Sequence, residues 1–563
     1  MNFDFSRYPY LNEFDDMPKE NLEYQAVYPN NYKEGQEYQL NSKNSEILLD
    51  FSEERVGFFR FSAIGTGKIR VDYGEKLGEI YNRDDDYLPD WYETPYDEFV
   101  IDSPYSEFYS SKGRRACRYI RIKVEGDITV KKIVFINVYS KNPYNGSFCC
   151  SDEKLNNIYD LCKRTTLLCM QDYFEDGIKR DGLLWIGDAR IQMQCNYSLF
   201  GNVDLVKRSI MYFARSMRED GWIPTNATIG GAHKHPDKIE YMFDFVGGKT
   251  VERTPEFFEG CGEIYYLTYC ADFVALLWEF YVYTGDKQFV KRILPYTDKV
   301  VKRICEIDRF DIEGKLMPRT HYPNREYVDN LCDHGSYYCA LVYALKLYHN
   351  LYEALNLDST KLQKYIADFS EAANKFLDNE KCMWRQWKEP EKVYVPTAQS
   401  FAYMAGLCNA EEYKNALYIM KNAPTTTAYP ETGLAKYWFL KGIFDAGFVD
   451  SGIEAVKIMY DVLLNTDATT CFERWDHEYM EDSKDDISLS ACHGWSAGVA
   501  PLLTEYVLGV KAVEPSYKKV KICPNLCGMD FVEGEVPTIY GTIYVKATKN
   551  GVEYRVPEGV EVV

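Results

Sequence analysis

Up to about residue 147 the chain alternates apolar and polar positions. The clearest runs are Arg55-Val-Gly-Phe-Phe-Arg-Phe, Gly67-Lys-Ile-Arg-Val-Asp-Tyr, Arg118-Tyr-Ile-Arg-Ile-Lys-Val and Lys132-Ile-Val-Phe-Ile-Asn-Val. Period two places successive side chains on opposite faces, so these are half-buried strands, and several of them predict a β-sandwich. The acidic, tyrosine-rich, proline-punctuated stretch 80–110 predicts a long loop. From about 152 the period becomes helical. The pattern predicts helices over 152–174, 188–201, 203–217, 262–285, 287–307, 335–356, 360–379, 396–409, 410–421, 432–447, 451–463 and 488–509. In the first of these, Leu155, Ile158, Tyr159 and Cys162 share one face. No short repeat underlies the set, and twelve helices in consecutive pairs fit an (α/α)6 barrel. The segment 220–261, with Gly230-Gly231, Gly247-Gly248 and Pro255, is an extended connection inside a compact domain. Such loops are often functional, and this one is expected to overhang the barrel mouth. Beyond about 510 the β pattern returns. Runs around Tyr540–Thr548 and Val552–Val556 flank Lys549-Asn550-Gly551, a hairpin signal. The expected class is therefore multidomain α + β: a β-sandwich over 1–147, a central barrel over 148–509 and a small β domain over 510–563.

Composition narrows the partners. With 563 residues the chain exceeds what one core supports. Its net charge of −21 opposes nucleic acid, an anionic membrane surface and a polyanionic glycan. The 17 cysteines are odd in number, irregularly spaced and without a C-x-x-C pair, which points to a reducing compartment. The opening Met-Asn-Phe-Asp-Phe-Ser-Arg-Tyr lacks the basic and apolar regions of a signal peptide. The longest apolar stretch, 264–283, is interrupted by Asp272 and Glu279, so no membrane span is expected. A cytoplasmic location follows as the expectation. An assembly of two copies is left open.

Chemistry concentrates in residues 176–192, Asp-Gly-Ile-Lys-Arg-Asp-Gly-Leu-Leu-Trp-Ile-Gly-Asp-Ala-Arg-Ile-Gln. Asp181, Trp185 and Asp188 are spaced i, i+4, i+7 and would share one face of a helix running there. An aromatic ring between carboxylates suits a sugar, which offers C–H faces to the ring and hydroxyls to the acids. The plainer reading is a capped helix start using Asp and Gly as turn residues. His233 and His235 lie two apart, but nothing nearby completes a metal set, and an exposed loop pair is the plainer reading. His321 and His334 sit around another polar stretch. No phosphate-binding Gly-Lys loop, dinucleotide Gly motif or G-x-S-x-G is present.

The run resembles the signature of glycoside hydrolase family 78, the α-L-rhamnosidases. Arg180 and Asp181 fall at the family's Arg and general-acid positions, and Trp185, Gly187 and Asp188 match it. Asp181 replaces the Glu usual there. Ala468-Thr-Thr-Cys-Phe-Glu-Arg-Trp-Asp is similar to the family's general-base segment, with Glu473 as base and Phe472 in place of a Trp. Ser490-Ala-Cys-His-Gly-Trp-Ser resembles a segment whose His, here His493, contacts sugar; Pro430-Glu-Thr-Gly-Leu resembles the family's lead-in to the helix that here holds Trp438, which the resemblance makes a further substrate-binding candidate. Tyr73-Gly-Glu-Lys-Leu resembles the sandwich preceding the barrel, on which no chemistry is placed, and Tyr517-Lys-Lys-Val-Lys-Ile-Cys-Pro resembles the lead-in to a small C-terminal β cap. The resemblance implies inverting hydrolysis of a terminal L-rhamnoside, or a related deoxy or neutral sugar, from an oligosaccharide or glycoside. Asp181 would protonate the leaving oxygen. Glu473 would activate water on the opposite face, with the two carboxyls about 6.5–9.5 Å apart. Asp176 and Asp188 would hold hydroxyls, Arg180 would orient a carboxylate, and Trp185 and Trp475 would stack on the sugar. Asp272, a charge amid an apolar helix, is a further candidate, with pairing to a buried Arg as its alternative. No cofactor and no metal is implied. Two other classes stay open: another barrel carbohydrate enzyme (a lyase or a phosphorylase), and a sugar-binding relative without turnover.

Overall fold

A computed structural model describes residues 10, 13–14, 16–82, 95–179, 182–227, 266–306, 334–385, 393–422, 430, 432–475 and 490–563. The N-terminal part contains β1 (Leu22–Val27), β2 (Glu37–Leu40), β3 (Glu46–Gly74), β4 (Tyr96–Ser110) and β5 (Arg115–Ser140), with the short helix α1 (Leu77–Tyr81) after β3. All pair antiparallel, in the order β1-β5-β3-β4, and β2 also pairs with β5. The four strand runs read from the sequence lie within β3 and β5. These two run long because register shifts, as between Asp50 and Arg55, bend the pairing without ending it. Phe59, Phe61, Ile69 and Val71 of β3 meet Ile120, Ile122, Val130 and Phe135 of β5 in a core of their own.

The loop expected over 80–110 is corrected. Residues 96–110 form β4, the edge of the sheet, and 83–94 lie outside the described residues. An edge strand keeps one row of backbone groups free of pairing, so it tolerates the acids and the proline that hid its pattern. Pro104 falls where the β3–β4 register shifts opposite Ala63 and Gly65.

Next comes β6 (Ser147–Cys150), followed by the helices α2 (Glu153–Cys169), α3 (Ile186–Leu199), α4 (Val203–Arg215), α5 (Leu267–Thr284), α6 (Lys287–Cys305), α7 (His334–Leu355) and α8 (Thr360–Asn374). A two-strand hairpin, β7 (Leu377–Asp378) and β8 (Met383–Trp384), precedes α9 (Pro396–Met404), α10 (Ala410–Asn422), α11 (Gly433–Asp445) and α12 (Val449–Leu464). The periodic segments thus fold as helices within a few residues of their expected bounds. The last one differs. Residues 494–507 run as a 3-10 turn (Gly494–Ala497), a short helix α13 (Val499–Leu502) and a π turn (Leu503–Val507). The Gly494 amide donates to the Asp176 carbonyl at 2.6 Å, so the chain is committed to another segment before it can begin a helix.

Burial sorts the helices. In α3 the thirteen residues other than Gln194 are buried, whereas α4, α6 and α8 bury one stripe. A helix apolar or covered all round belongs inside, and one with a single apolar stripe belongs outside. Consistent with this, α3 packs on α5, α5 on α7, α7 on α9, α9 on α11, and α11 on the 494–502 segment, which returns to α3. The C-terminal region adds β9 (Val510–Ala512), β10 (Lys519–Ile522), β11 (Phe531–Thr538), β12 (Gly541–Thr548), β13 (Gly551–Arg555) and β14 (Glu561–Val562). The expected hairpin closes with Thr548 opposite Gly551, around Lys549-Asn550. Strand β6 joins the outer side of β11, so residues 147–150 complete the C-terminal sheet and not the N-terminal one. Among the described residues no helix is long and apolar enough to cross a membrane.

Candidate active site

Three short extended stretches lie side by side where the helical circle meets the N-terminal sheet. Residues 490–494 form the middle one. On one side Gly177 bridges to His493, Ile178 N–H donates to Cys492 O, and Gly494 N–H donates to Asp176 O. On the other side His493 N–H donates to Cys471 O at 2.9 Å and Glu473 N–H to Ser490 O at 2.9 Å. The Glu473 segment and the foot of the 177–182 loop therefore flank one strip. Two strand spacings put their backbones roughly 10 Å apart.

The loop is closed by its own ends. Asp176 N–H donates to Leu183 O at 3.0 Å, Leu183 N–H returns to Asp176 Oδ1 at 2.9 Å, and Gly182 N–H donates to Gly177 O at 3.0 Å. Gly182 holds φ +69°, a conformation that costs glycine little. Arg180 and Asp181 lie outside the described residues. After the loop, Trp185 caps α3 in extended conformation and bridges to Asn226, so the helix starts at Ile186. The i, i+4, i+7 face proposed for Asp181, Trp185 and Asp188 is not formed, because 182–185 are not helical. Asp188 sits in the first turn of α3, where a carboxylate is favoured by the unpaired amides. Gly187 is required by packing. A Cβ there would lie 2.4 Å from the ring of Tyr269.

The polar centre is His493, 3% exposed. Its Nε2 lies 3.0 Å from Asp188 Oδ1 and its Nδ1 3.8 Å from Glu473 Oε2; among the described residues Nδ1 has no hydrogen-bond partner. Glu473, 5% exposed, accepts at Oε2 from Ser490 N–H at 3.2 Å, and its carbonyl accepts from Trp495 Nε1 at 3.1 Å. Burial works against a charged imidazolium. The Asp188 hydrogen bond and the charges of Glu473, Asp188 and Asp176 outweigh it and push His493 up to about 9. Burial pushes the Asp188 carboxyl up, against the pull of the same imidazolium. We take the pair as ionised near neutral pH, since the imidazolium has three carboxylates around it and one of them within hydrogen-bond reach. The result is a cationic imidazole beside a buried carboxylate, with one N–H left to donate.

The remaining candidates divide. Asp176, Asp188, Glu473 and His493 are brought together, but Asp176 and Asp188 spend oxygens on Leu183 N–H and His493. Of the three candidate tryptophans, Trp185 is the partly open one; among the described residues its Nε1 has no hydrogen-bond partner, and its ring meets Tyr269 edge-on at 6.5 Å. Trp475 is 1% exposed. It donates from Nε1 to Met459 O at 2.8 Å and carries Lys436 over its ring at 4.4 Å, so it is packed into the core and presents no free face. Trp438, 4% exposed, lies under the Arg190 guanidinium at 4.5 Å. Asp272 accepts from Arg190 Nη1 at 2.6 Å, which realises the buried-Arg alternative. Burial raises its carboxyl to about 6, against the pull of Arg190. His233, His235, His321 and the 228–261 part of the long connection lie outside the described residues, and of His334 only the backbone is described. Among the described residues no three His, Cys, Asp or Glu side chains gather as a metal site.

Sequence reasoning passed over Arg190, Glu279 and the Glu75–Lys76–Lys179 group. Two acids seven apart on the apolar helix α5, Asp272 and Glu279, were a signal for the first pair, since buried carboxylates call for a cation.

The family model of the bacterial α-L-rhamnosidase six-hairpin glycosidase domain matches residues 143–507, more than half of the chain. No curated protein matches. Among solved structures, the family 78 rhamnosidase of Bacillus sp. GL1 superposes with a TM-score of 0.73 at 22% identity, covering 92% of this chain and 52% of that one. This chain thus spans about half the length of that enzyme. The rhamnosidase of Klebsiella oxytoca gives 0.71 at 19% identity, covering 87% of this chain and 96% of that one. The α-L-rhamnosidase of Streptomyces avermitilis gives 0.71 at 13% identity, covering 97% and 50%. These likenesses establish a shared fold, and with the family match over 143–507 the chain belongs to the bacterial α-L-rhamnosidase six-hairpin glycosidase family.

Proposed function

We propose that the chain is an inverting α-L-rhamnosidase that releases terminal L-rhamnose, with Asp181 as general acid and Glu473 as general base. The observation that carries this is the Glu473 carboxylate. It is buried at the edge of a strip whose other edge holds the foot of the 177–182 loop, and it is faced by His493. The backbones at Glu473 and at the foot of that loop are about two strand spacings apart, a scale that suits two carboxyls with a water between them, as inversion requires. On this reading the closed circle of α3, α5, α7, α9, α11 and the 494–502 segment is the inner layer of an (α/α)6 barrel. The other helices form its outer layer, and the β regions flank it. The net charge of −21 favours a neutral sugar over an anionic one. The Klebsiella oxytoca structure has rhamnose bound and the Streptomyces avermitilis structure is complexed with L-rhamnose, which supports that sugar as the first to try.

In the reaction, Glu473 takes a proton from water as its oxygen attacks the anomeric carbon, and the acid gives a proton to the departing oxygen. His493, cationic and held by Asp188, keeps its second N–H toward Glu473. Trp185, partly open at the start of α3, offers a ring for the sugar's C–H face. The test is release of free L-rhamnose from an aryl α-L-rhamnoside by the native chain, Asp181→Asn and Glu473→Gln, with the first-formed anomer read by NMR. We expect turnover by the native chain with inverted product and a loss of about 10²–10⁴-fold in each variant. Retained anomeric configuration, or full activity of Glu473→Gln, rejects the assignment.

A further inference from the structure

The N-terminal sheet reaches the base. The connection from β3 into α1 carries Glu75, 4% exposed. Its Oε2 accepts from the Ala491 amide at 2.7 Å and pairs with Lys179 Nζ at 2.8 Å. Lys179 is shared with Glu79, at 2.8 Å, and Glu79 in turn accepts from the Glu75 amide at 3.0 Å. The next residue in the chain before Ala491 is Ser490, whose amide donates to Glu473 Oε2 and whose carbonyl accepts from Glu473 N–H. Neighbouring amides of one strip are therefore given to two carboxylates, one from the sheet and one from the site. A second contact comes from the same connection. Lys76 Nζ lies 5.2 Å over the ring of Phe472, which precedes Glu473.

We infer that Glu75 is a positioning residue for the Glu473 carboxylate: by holding the Ala491 amide it fixes the rotation of the 490–491 strip and so aims the Ser490 amide at Glu473. Removing the acceptor leaves the Ala491 N–H buried without a partner. The strip then turns to satisfy it, carrying the Ser490 N–H away from Glu473. Lys179 supports the acceptor, because its charge opposes the rise that burial imposes on the Glu75 carboxyl. The N-terminal sheet is thus part of the catalytic apparatus at one remove, which the sequence reading had not assigned to it. The inference rests on the proposed role of Glu473.

The experiment uses the full chain with phenyl and 2,4-dinitrophenyl α-L-rhamnosides. The second needs little help from an acid, so a defect at the base shows equally on both substrates and a defect at the acid shows mainly on the first. Glu75→Leu keeps volume and removes the acceptor; Glu75→Gln keeps a carbonyl oxygen for Ala491. For Glu75→Leu we expect kcat to fall about 10–100-fold on both substrates, with KM within about twofold, as for a reacting group misplaced by a fraction of an ångström. Glu75→Gln should recover kcat to within about threefold of native, since an acceptor is retained. Should Glu75→Leu not fold by near-UV circular dichroism, Glu75→Asp replaces it. That variant retracts the acceptor by one methylene and should fall below Glu75→Gln in kcat. Native kcat in the folded Leu or Asp variant overturns the inference, as does a loss confined to the phenyl substrate, a change in KM alone, or a Gln variant no better than Leu. If the native chain turns over neither substrate, the parent reading fails first and takes this one with it.

Discussion

Two buried ionic clusters sit in the same helical region and are built differently. Around Arg190 each guanidinium nitrogen is paired. Its guanidinium donates to Glu279 through Nε and Nη2 and to Asp272 through Nη1, Gln194 adds a bond to Glu279, and Trp438 covers the face. Around His493 the pairing among the described residues is incomplete, with one nitrogen on Asp188 and the other without a partner there, 3.8 Å from Glu473. A saturated cluster has nothing left to offer a ligand and serves to tie α3 to α5. An unsaturated one keeps a donor and a carboxylate in reserve, at a cost in stability that function can explain. The contrast is testable in both directions.

The largest effect is expected at the saturated cluster. Arg190→Met leaves Asp272 and Glu279 facing each other without a cation, and breaking a buried pair from one side costs about 3–5 kcal/mol. Urea unfolding measures it. Restoring neutrality with Arg190→Met/Asp272→Asn/Glu279→Gln should return most of the loss. A single variant within about 1 kcal/mol of native would mean that the cluster is not the tie described.

At the unsaturated cluster the effect depends on pH. His493 is raised in the folded chain from 6.5 to about 9, so the proton is held more tightly folded than unfolded. Its contribution is complete below about pH 6.5 and is lost as pH rises through about 9, a swing of roughly 3 kcal/mol. Native stability minus that of His493→Gln should shrink across this window. A difference that grows with pH would reverse the sign and remove the cationic imidazole. Asp272, raised to about 6, titrates below this window, and Arg190 stays charged throughout it, so the saturated cluster should be flat there.

Third in size is the activity of His493→Gln. With the donor beside Glu473 lost, kcat should fall about 10²-fold, equivalent to about 2.7 kcal/mol. A change carried by KM alone would instead assign His493 to the sugar, as the family resemblance implied.

What the sequence disclosed follows from how far each signal reaches. Helical period was visible in the segments that fold as α2 to α12, because the pattern belongs to a single element and needs only its own residues. Strand β4 was hidden because an edge strand need not alternate cleanly, and the last helix was misjudged because the Gly494 amide is committed to residue 176. Contacts between distant segments leave no such mark. Asp188 and His493 are 305 residues apart, and Glu75 and Ala491 are 416 apart. Candidate acids could be named one by one, but whether each would face sugar or protein could not. Trp475 shows the limit most directly. Adjacency to the base segment suggested a stacking wall, yet its indole turns away to Met459 and Lys436. Where spacing within one helix did carry a message, in Asp272 and Glu279, the two were not read together: Glu279 had served only to reject a membrane span, and Asp272 was weighed alone between the site and a buried Arg.

The smallest expected effect separates packing from sugar contact at Trp438. The sequence placed this ring in the binding site, and the structure places it under Arg190 among Phe401 and Tyr437. If its work is to cover the guanidinium, Trp438→Phe keeps an aromatic face, gives up part of the cation–π attraction and leaves a small void, together about 1–2 kcal/mol. The loss should depend on its partner. In an Arg190→Met background the cation–π part vanishes, so the two changes should be less than additive by about 0.5–1 kcal/mol, which a double-mutant cycle in urea resolves. KM should stay within about twofold, because a ring 4% exposed has no face to give a substrate. A rise in KM of tenfold with strict additivity in stability would reverse the assignment and move Trp438 from the saturated cluster to the site.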